Sequence, residues 1–307
     1  MEEETNQISI EFRYPYDYHY KEARYFHHSM LMQDLSFDTF QHRKGLITFT
    51  LEAQDSNKVL DEITNIFELH PDTWRGNSTE VVLIELFLLI ANKLIRNGIC
   101  CFEKNSSIAN NALTNIKLVD GNIKRKWNFI KQTLPKDIEE KSVKIPIDKC
   151  FILEFPHQLC TTKQYSSVIK SIKEIDSKDS PMLSILNPST LSKIKGYDNI
   201  EHHNYIELIT WRLTKDISWH HRSQFSQKEI FSSYYMTLRD LKFKRTKLLL
   251  MYHIFKFMEN MIEEVFSNVK LKINYIKNIE DINLLIDNFE KGNFSHEDYR
   301  QAIRDYH

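Results

Sequence analysis

The fold is decided by one apolar stretch in the first half of the chain, VVLIELFLLIANKLIRNGICCFE (residues 81–103). Glu85 lies early in this stretch, and Lys93 and Arg96 lie late, an order of charges that complements a helix dipole. Gly98 stands where a helix commonly ends in the left-handed conformation. We therefore predict a buried helix that ends at Gly98 and leads directly into a strand over 99–103.

Signals on both sides of this stretch predict a small α+β unit of strands packed on two helices, over residues 45–156. β-branched and apolar residues predict a strand from Gly45 to Leu51, and helical spacing predicts a helix over 59–67. Farther along, Gly121 and Asn122 precede Ile123–Ile130, whose apolar residues alternate only in part. A turn over Ile145–Asp148 is expected to precede a strand over 150–155.

After Pro156 the pattern is mainly helical. Helices are predicted over 165–175, near 205–215 and, in a run without proline or glycine, from 226 to 266. An alternating strand over 269–276, a helix that stops at Gly292 and a capped helix beginning at Ser295 and Asp298 complete the chain. The predicted fold class is helix-rich α+β. The predicted domains are an N-terminal tail with an aromatic-rich segment (1–44), an α+β domain (45–156), a helical region (157–225) and the long helix with the C-terminal elements (226–307).

Composition excludes several classes of protein. Lys and Arg number 41 against 42 Asp and Glu, so any nucleic-acid contact must be local. Four cysteines match no zinc ribbon or disulfide framework, and we interpret them as reduced. The acidic N-terminus lacks the apolar core of a signal peptide, and the apolar runs are shorter than a membrane span, so we predict a protein that is not secreted and does not contact membranes.

Motifs for common enzyme chemistry are missing from the sequence. There is no Walker A motif, no Rossmann glycine motif, no H-E-x-x-H and no G-x-S-x-G. The paired histidines at 27–28, 202–203 and 220–221 diverge on regular elements and are poor metal ligands. We therefore predict no cofactor, no metal and no catalytic residues. One alternative stays open, a helical nuclease that uses Arg212 with His220 or Arg245 with His253.

Two basic clusters are the candidate DNA contacts. The first lies on the predicted long helix, directly before an apolar run, and consists of Arg239, Lys242, Lys244, Arg245 and Lys247. The second consists of Lys124, Arg125 and Lys126, beside Trp127. A cluster of this kind either contacts phosphates or forms a solvated polar face, and the mix of basic and aromatic residues in the second is used by single-strand binders.

The order of these elements resembles that of portal proteins from tailed bacteriophages. The segment DTFQHRKG (38–45) before the first strand resembles a portal helix that ends in arginine, and 81–103 resembles the helix, glycine and strand that follow. Residues 145–156 look like the strand that ends the portal wing. The helix end at 257–266, the strand at 270–275 and the glycine and capped helix at 289–300 resemble the portal C-terminus. The resemblance thus implies that 45–156 is a wing-like domain and that 157–225 is a stem- or clip-like region, although residues 177–222 within that region do not match the portal pattern.

The resemblance implies a structural protein that assembles into a homo-oligomeric ring and serves as a conduit for double-stranded DNA during packaging and ejection. It implies capsid, packaging-motor and tail-connector proteins as partners, and a location in the host cytoplasm during assembly and then in the virion. A separate motor would hydrolyse ATP, which agrees with the missing Walker A motif. The alternative hypothesis is a helical protein-interaction or phage-defence protein that binds another protein through the long helix.

Overall fold

The structure is a computed structural model that describes residues 26–40, 47–69, 79–106, 113–134, 141–178, 199–219, 233–275, 278–293, 295 and 298. It is a helix-rich α+β protein, as predicted. The helices in the described residues are α1 Phe26–Phe40, α2 Ser56–Ile66, α3 Thr79–Asn97, α4 Thr162–Lys178, α5 Asn199–Leu213, α6 Ser233–Val265 and α7 Ile279–Glu290. The strands are β1 Ile47–Glu52, β2 Ile99–Ser106, β3 Leu113–Leu118, β4 Asn122–Arg125, β5 Phe129–Thr133, β6 Ser142–Pro146, β7 Cys150–Glu154 and β8 Lys270–Tyr275.

Two compact units share the chain. Among the described residues, the first unit contains 47–154 and 253–274, and the second contains 26–40, 155–252 and the residues from 275 onward. Helix α6 therefore contributes its first part to the second unit and its last part to the first. The four domains proposed from the sequence, with their boundaries, stay a prediction.

Strand β2 is the centre of the first unit. It pairs antiparallel with β3 and with β7, in a sheet of order β3-β2-β7. Side chains alternate across a strand, yet Ile99 to Phe102 are all at most 3% exposed. On one face, the Phe102 ring meets the Phe67 ring edge to face, with centroids 6.0 Å apart. On the other face, Ile99 and Cys101 pack against residues of a second sheet.

This second sheet has the order β4-β5-β6 and is antiparallel throughout. Its inner face presents Ile123, Ile130 and Ile145, which join Ile99 and Cys101 in one apolar cluster. The apolar alternation over 123–130 is only partial because a turn at Trp127 and Asn128 divides this segment into β4 and β5. The Lys126 backbone N–H donates to the Phe129 carbonyl oxygen across that turn (2.9 Å).

The predicted turn over Ile145–Asp148 was wrong in its first half and correct in its second half. Ile145 and Pro146 belong to β6, where Ile145 lies opposite Ile130, and only Ile147–Lys149 forms a 3₁₀ turn before β7. Burial of Ile145, which is 1% exposed, accounts for this pairing. Proline at the end of an edge strand costs no ladder hydrogen bond, so Pro146 is compatible with β6.

Helix α3 ends as the sequence predicts. Gly98 has φ 72°, and its N–H donates to the Leu94 carbonyl oxygen (2.7 Å). Only glycine adopts this conformation without strain, so the chain turns directly from α3 into β2. Near the end of the helix, the Lys93 ammonium forms a partly buried ion pair with the Asp120 carboxylate.

Strands β1 and β8 form a separate two-stranded sheet within the first unit. The Lys272 ammonium on β8 lies 2.5 Å from the Glu52 carboxylate on β1. Both strands were predicted, but their pairing was not, because it joins residues more than two hundred positions apart. Strand β3 and helix α1 were not predicted from the residue pattern.

In the second unit, helix α4 follows Pro156 as predicted. Thr161 caps it, because its side-chain oxygen accepts from the Gln164 N–H (3.2 Å) while the Gln164 side chain accepts from the Thr161 N–H (2.9 Å). Phe155 stacks on Tyr165, with ring centroids 3.8 Å apart. The Asp176 carboxylate near the end of α4 accepts hydrogen bonds from the backbone N–H groups of His27 and His28, which ties α1 to α4.

Most of the remaining predicted elements are also found, while the helix expected after Ser295 lies, apart from Asp298, outside the described residues. Helix α5 covers most of the helix expected near 205–215, and α6 is a continuous helix of 33 residues. Gly292, after α7, has φ 73°, which confirms the predicted left-handed stop. The predicted capping box is present, since the Ser295 N–H donates to the Asp298 carboxylate (2.9 Å). Arg43, which the resemblance places at a helix end, lies outside the described residues.

The two faces of β5 give a direct test of this packing. Ile130 is fully buried and Lys131 beside it is exposed. We expect Ile130→Ala to lower the free energy of unfolding by about 2–5 kcal/mol, because it leaves a cavity between the two sheets. The matched variant Lys131→Ala should change it by less than about 0.5 kcal/mol. Urea unfolding followed by circular dichroism measures both, and equal losses would show that the faces are assigned incorrectly.

Candidate nucleic-acid interface

Arg239, the first residue of the helix cluster, is buried and binds other residues of the same chain. It is 6% exposed, and its guanidinium donates to the carbonyl oxygens of Trp219 (2.8 Å) and Trp211 (2.9 Å) and to Thr214 Oγ1 (3.1 Å). It also lies over the Trp211 ring, 4.5 Å from the centroid. Burial lowers the pKa of this guanidinium, and Tyr235 partly opposes the shift. The arrangement satisfies backbone acceptors at and after the C-terminal end of α5, a frequent role of arginine near helix ends.

The other four residues of the helix cluster do not form an exposed basic patch. Lys244 and Lys247 are buried, and Arg245 is half-buried. The Lys247 ammonium lies over the Phe243 ring (5.3 Å), and the Lys244 ammonium lies 3.9 Å from the Asp240 carboxylate. Lys242 is more open and pairs with Glu290 (2.7 Å). A role of this cluster in DNA contact stays a prediction.

The second cluster lies on the β4-β5-β6 sheet of the first unit and is exposed. Lys124 is on β4, and Lys126 and Trp127 are at the turn into β5. The Trp127 side chain is 98% exposed. Arg125 points to the opposite face, where its guanidinium pairs with Glu154 at 2.5 Å. The structure therefore keeps Lys124, Lys126 and Trp127 together and directs Arg125 to a neighbouring carboxylate.

The strand register adds residues that were not singled out from the sequence. Lys124 lies opposite Lys131, and Lys131 lies opposite Lys144. We call these three residues the lysine row. All three are exposed, and neighbouring strands are about 4.8 Å apart, so the row crosses the sheet over roughly 10 Å. No local signal reveals this alignment, because it depends on which strands pair.

The lysine row is the middle of three rows on the solvent side of this sheet. One flanking row is polar (Asn122, Thr133 and Ser142), and the other contains Lys126, Phe129 and Pro146. We call the nine residues of the three rows the outer face. None of them is acidic. Phe129 lies on the central strand, and the Lys144 ammonium lies 5.4 Å from the centroid of its ring. The outer face thus combines four cations with one aromatic ring.

Other chemistry has less support in the described residues. No group of three or more His, Cys, Asp or Glu side chains is placed there to hold a metal ion. The four cysteines are free thiols; burial raises the pKa of Cys100 to about 12 and that of Cys160 to about 11. A hydrogen bond with Cys150, together with burial, raises the pKa of Cys101. Thiols in this state are poor nucleophiles.

The residues of the nuclease alternative are only partly described. His253 Nε2 lies 2.9 Å from the Glu154 carbonyl oxygen, so this nitrogen carries the proton and donates it. Arg212 is exposed in the last turn of α5, and its candidate partner His220 lies outside the described residues. The nuclease alternative stays untested.

Arg239 gives a prediction that separates a structural cation from a surface cation. Arg239→Gln should lower the free energy of unfolding by about 2–4 kcal/mol, because two buried carbonyl groups lose their donor. The control Lys242→Gln should cost less than about 1 kcal/mol, since it removes an exposed ion pair. Urea unfolding again measures both. A small effect of Arg239→Gln would mean that water replaces the guanidinium at α5.

Comparison with known proteins gives this site no assignment. Among the described helices, none is long and apolar enough to cross a membrane. The chain matches no protein-family model and no curated protein.

Proposed function

We propose that this chain is a portal-like, ring-forming structural protein that provides a conduit for DNA during phage packaging and ejection. The observation that carries the proposal is the order of its elements. Helix α3, Gly98 and β2 are followed by β3, by the β4-β5-β6 sheet, by β7 and by helix α4 after Pro156. The long helix α6, strand β8, helix α7 and Gly292 then follow in the order of a portal C-terminus.

The passage from β7 to α4 supports this interpretation. Strand β7 ends at Glu154. The next two residues, Phe155 and Pro156, are buried. The chain then makes a short turn and enters α4 at Thr162. In the portal pattern, the chain passes from the wing to the stem at this point. The cap of α4 at Thr161 and Gln164 fixes where this helix begins.

The C-terminal elements support it as well. Helix α6 spans about 50 Å at 1.5 Å per residue, which is long for a globular protein. Strand β8 pairs with β1 in the first unit, and the residues from 275 onward belong to the second unit. A strand directly after the long helix, followed by α7 and Gly292, is the order that the portal C-terminus has.

The charge of the chain is compatible with a conduit. The formal net charge is −1, whereas a strongly basic tunnel would hold DNA through counterion release. The proposed partners are further copies of the chain, double-stranded DNA, and capsid, packaging-motor and tail-connector proteins. The proposed location is the host cytoplasm during assembly and the virion afterwards.

The mass of the purified protein tests this proposal. We expect light scattering after size-exclusion chromatography to give roughly twelve times the 36.7 kDa of one chain, because closed rings remove exposed interfaces. The mass should stay constant on dilution over a wide range, since subunit interfaces in such rings are large. A monomer that persists at high concentration would contradict the proposal. Co-purification with one stoichiometric foreign protein would instead favour an interaction or defence protein.

A further inference from the structure

The outer face of the β4-β5-β6 sheet has the chemistry of a ligand surface. It presents Lys124, Lys126, Lys131 and Lys144 around Phe129, without an acidic residue among its nine positions. We propose that this face binds single-stranded nucleic acid. The lysine row contacts phosphates, while Phe129 and Trp127 stack on bases. This inference does not rest on the proposed portal function.

Without a bound ligand, the lysine row destabilises the folded sheet. Like charges directly opposite each other on neighbouring strands are destabilising, and the register repeats this arrangement twice, at Lys124 with Lys131 and at Lys131 with Lys144. Lysine on an edge strand also prevents edge-to-edge aggregation, which accounts for Lys124 and Lys144. It does not account for Lys131, which lies on the central strand. An anion along the row relieves the repulsion at all three positions.

The opposite side of the sheet holds the row in place. Ile123, Ile130 and Ile145 are at most 7% exposed and belong to the cluster that includes Ile99. A shift in register by one residue would bury the lysines and expose these isoleucines. The spacing of the cations is therefore fixed before any ligand arrives, and little ordering of the sheet backbone opposes binding.

Aromatic side chains select for an unpaired strand. Trp127 is 98% exposed at the turn that follows β4, next to Lys126 and two residues before Phe129. A large ring in this position covers no apolar surface of its own sheet. Bases of a single strand stack on such rings in a sequence-tolerant way, whereas bases inside a duplex are already stacked on each other. The combination of lysines with the exposed Trp127 ring therefore fits a single strand better than a duplex.

Fluorescence anisotropy with the full chain tests the proposal. The probes are a labelled oligothymidylate of about 20 nucleotides and a labelled duplex of the same length, titrated at several salt concentrations. Lys131→Gln should reduce the slope of log K against log salt by about 0.7 for the single strand, the value for one phosphate contact. Trp127→Ala should weaken single-strand binding about fivefold or more and change duplex binding much less.

Two controls make the result decisive. Lys58→Gln removes the same charge from an exposed position on α2 and should leave binding unchanged. Lys144→Gln repeats the charge test on an edge strand, in case Lys131→Gln lowers the urea midpoint. Wild-type affinity and salt dependence in both lysine variants would overturn the proposal. It would also be overturned if Trp127→Ala weakened duplex and single-strand binding equally, or if the variants changed the mass of the assembly instead of its affinity for the oligonucleotide.

Discussion

The burial of strand β2 on both faces is the constraint on which the first unit depends. Cys100 and Phe102 face one side, Ile99 and Cys101 face the other, and all four are nearly inaccessible to solvent. A strand of this kind needs a cover on each side, because an exposed apolar face would cost about 25 cal/mol for each Å² left in water. The second sheet supplies one cover. Its inner face is therefore committed to the core, and its outer face is left available for polar and charged residues.

The distribution of cations follows from the same principle of burial. On α6, Arg239 is held by backbone carbonyl groups of Trp211 and Trp219, so its charge stabilises the end of α5. On the β4-β5-β6 sheet, Lys124 and Lys126 of the second cluster are exposed to solvent. Two clusters that look alike in the sequence thus differ in what their charges contact. Burial and register distinguish them, and composition does not.

Much of the fold follows from local residue patterns, while the candidate site does not. The positive φ of Gly98 and Gly292 and the Ser295 capping box were predicted, because each depends on residues within one or two turns. The division of 123–130 into β4 and β5, the assignment of Ile145 to β6 and the pairing of β1 with β8 were not. Each of these depends on a partner strand elsewhere in the chain, and the lysine row depends on two of them at once.

Electron cryo-microscopy of the purified full chain tests the central claim, that this fold serves as the subunit of a ring, most directly. Top-view averages show whether the particles have a single rotational symmetry and a central channel. The account predicts closed rings of roughly a dozen subunits around a channel wide enough for a DNA duplex. Particles the size of one chain, or open assemblies of variable subunit number, would contradict it.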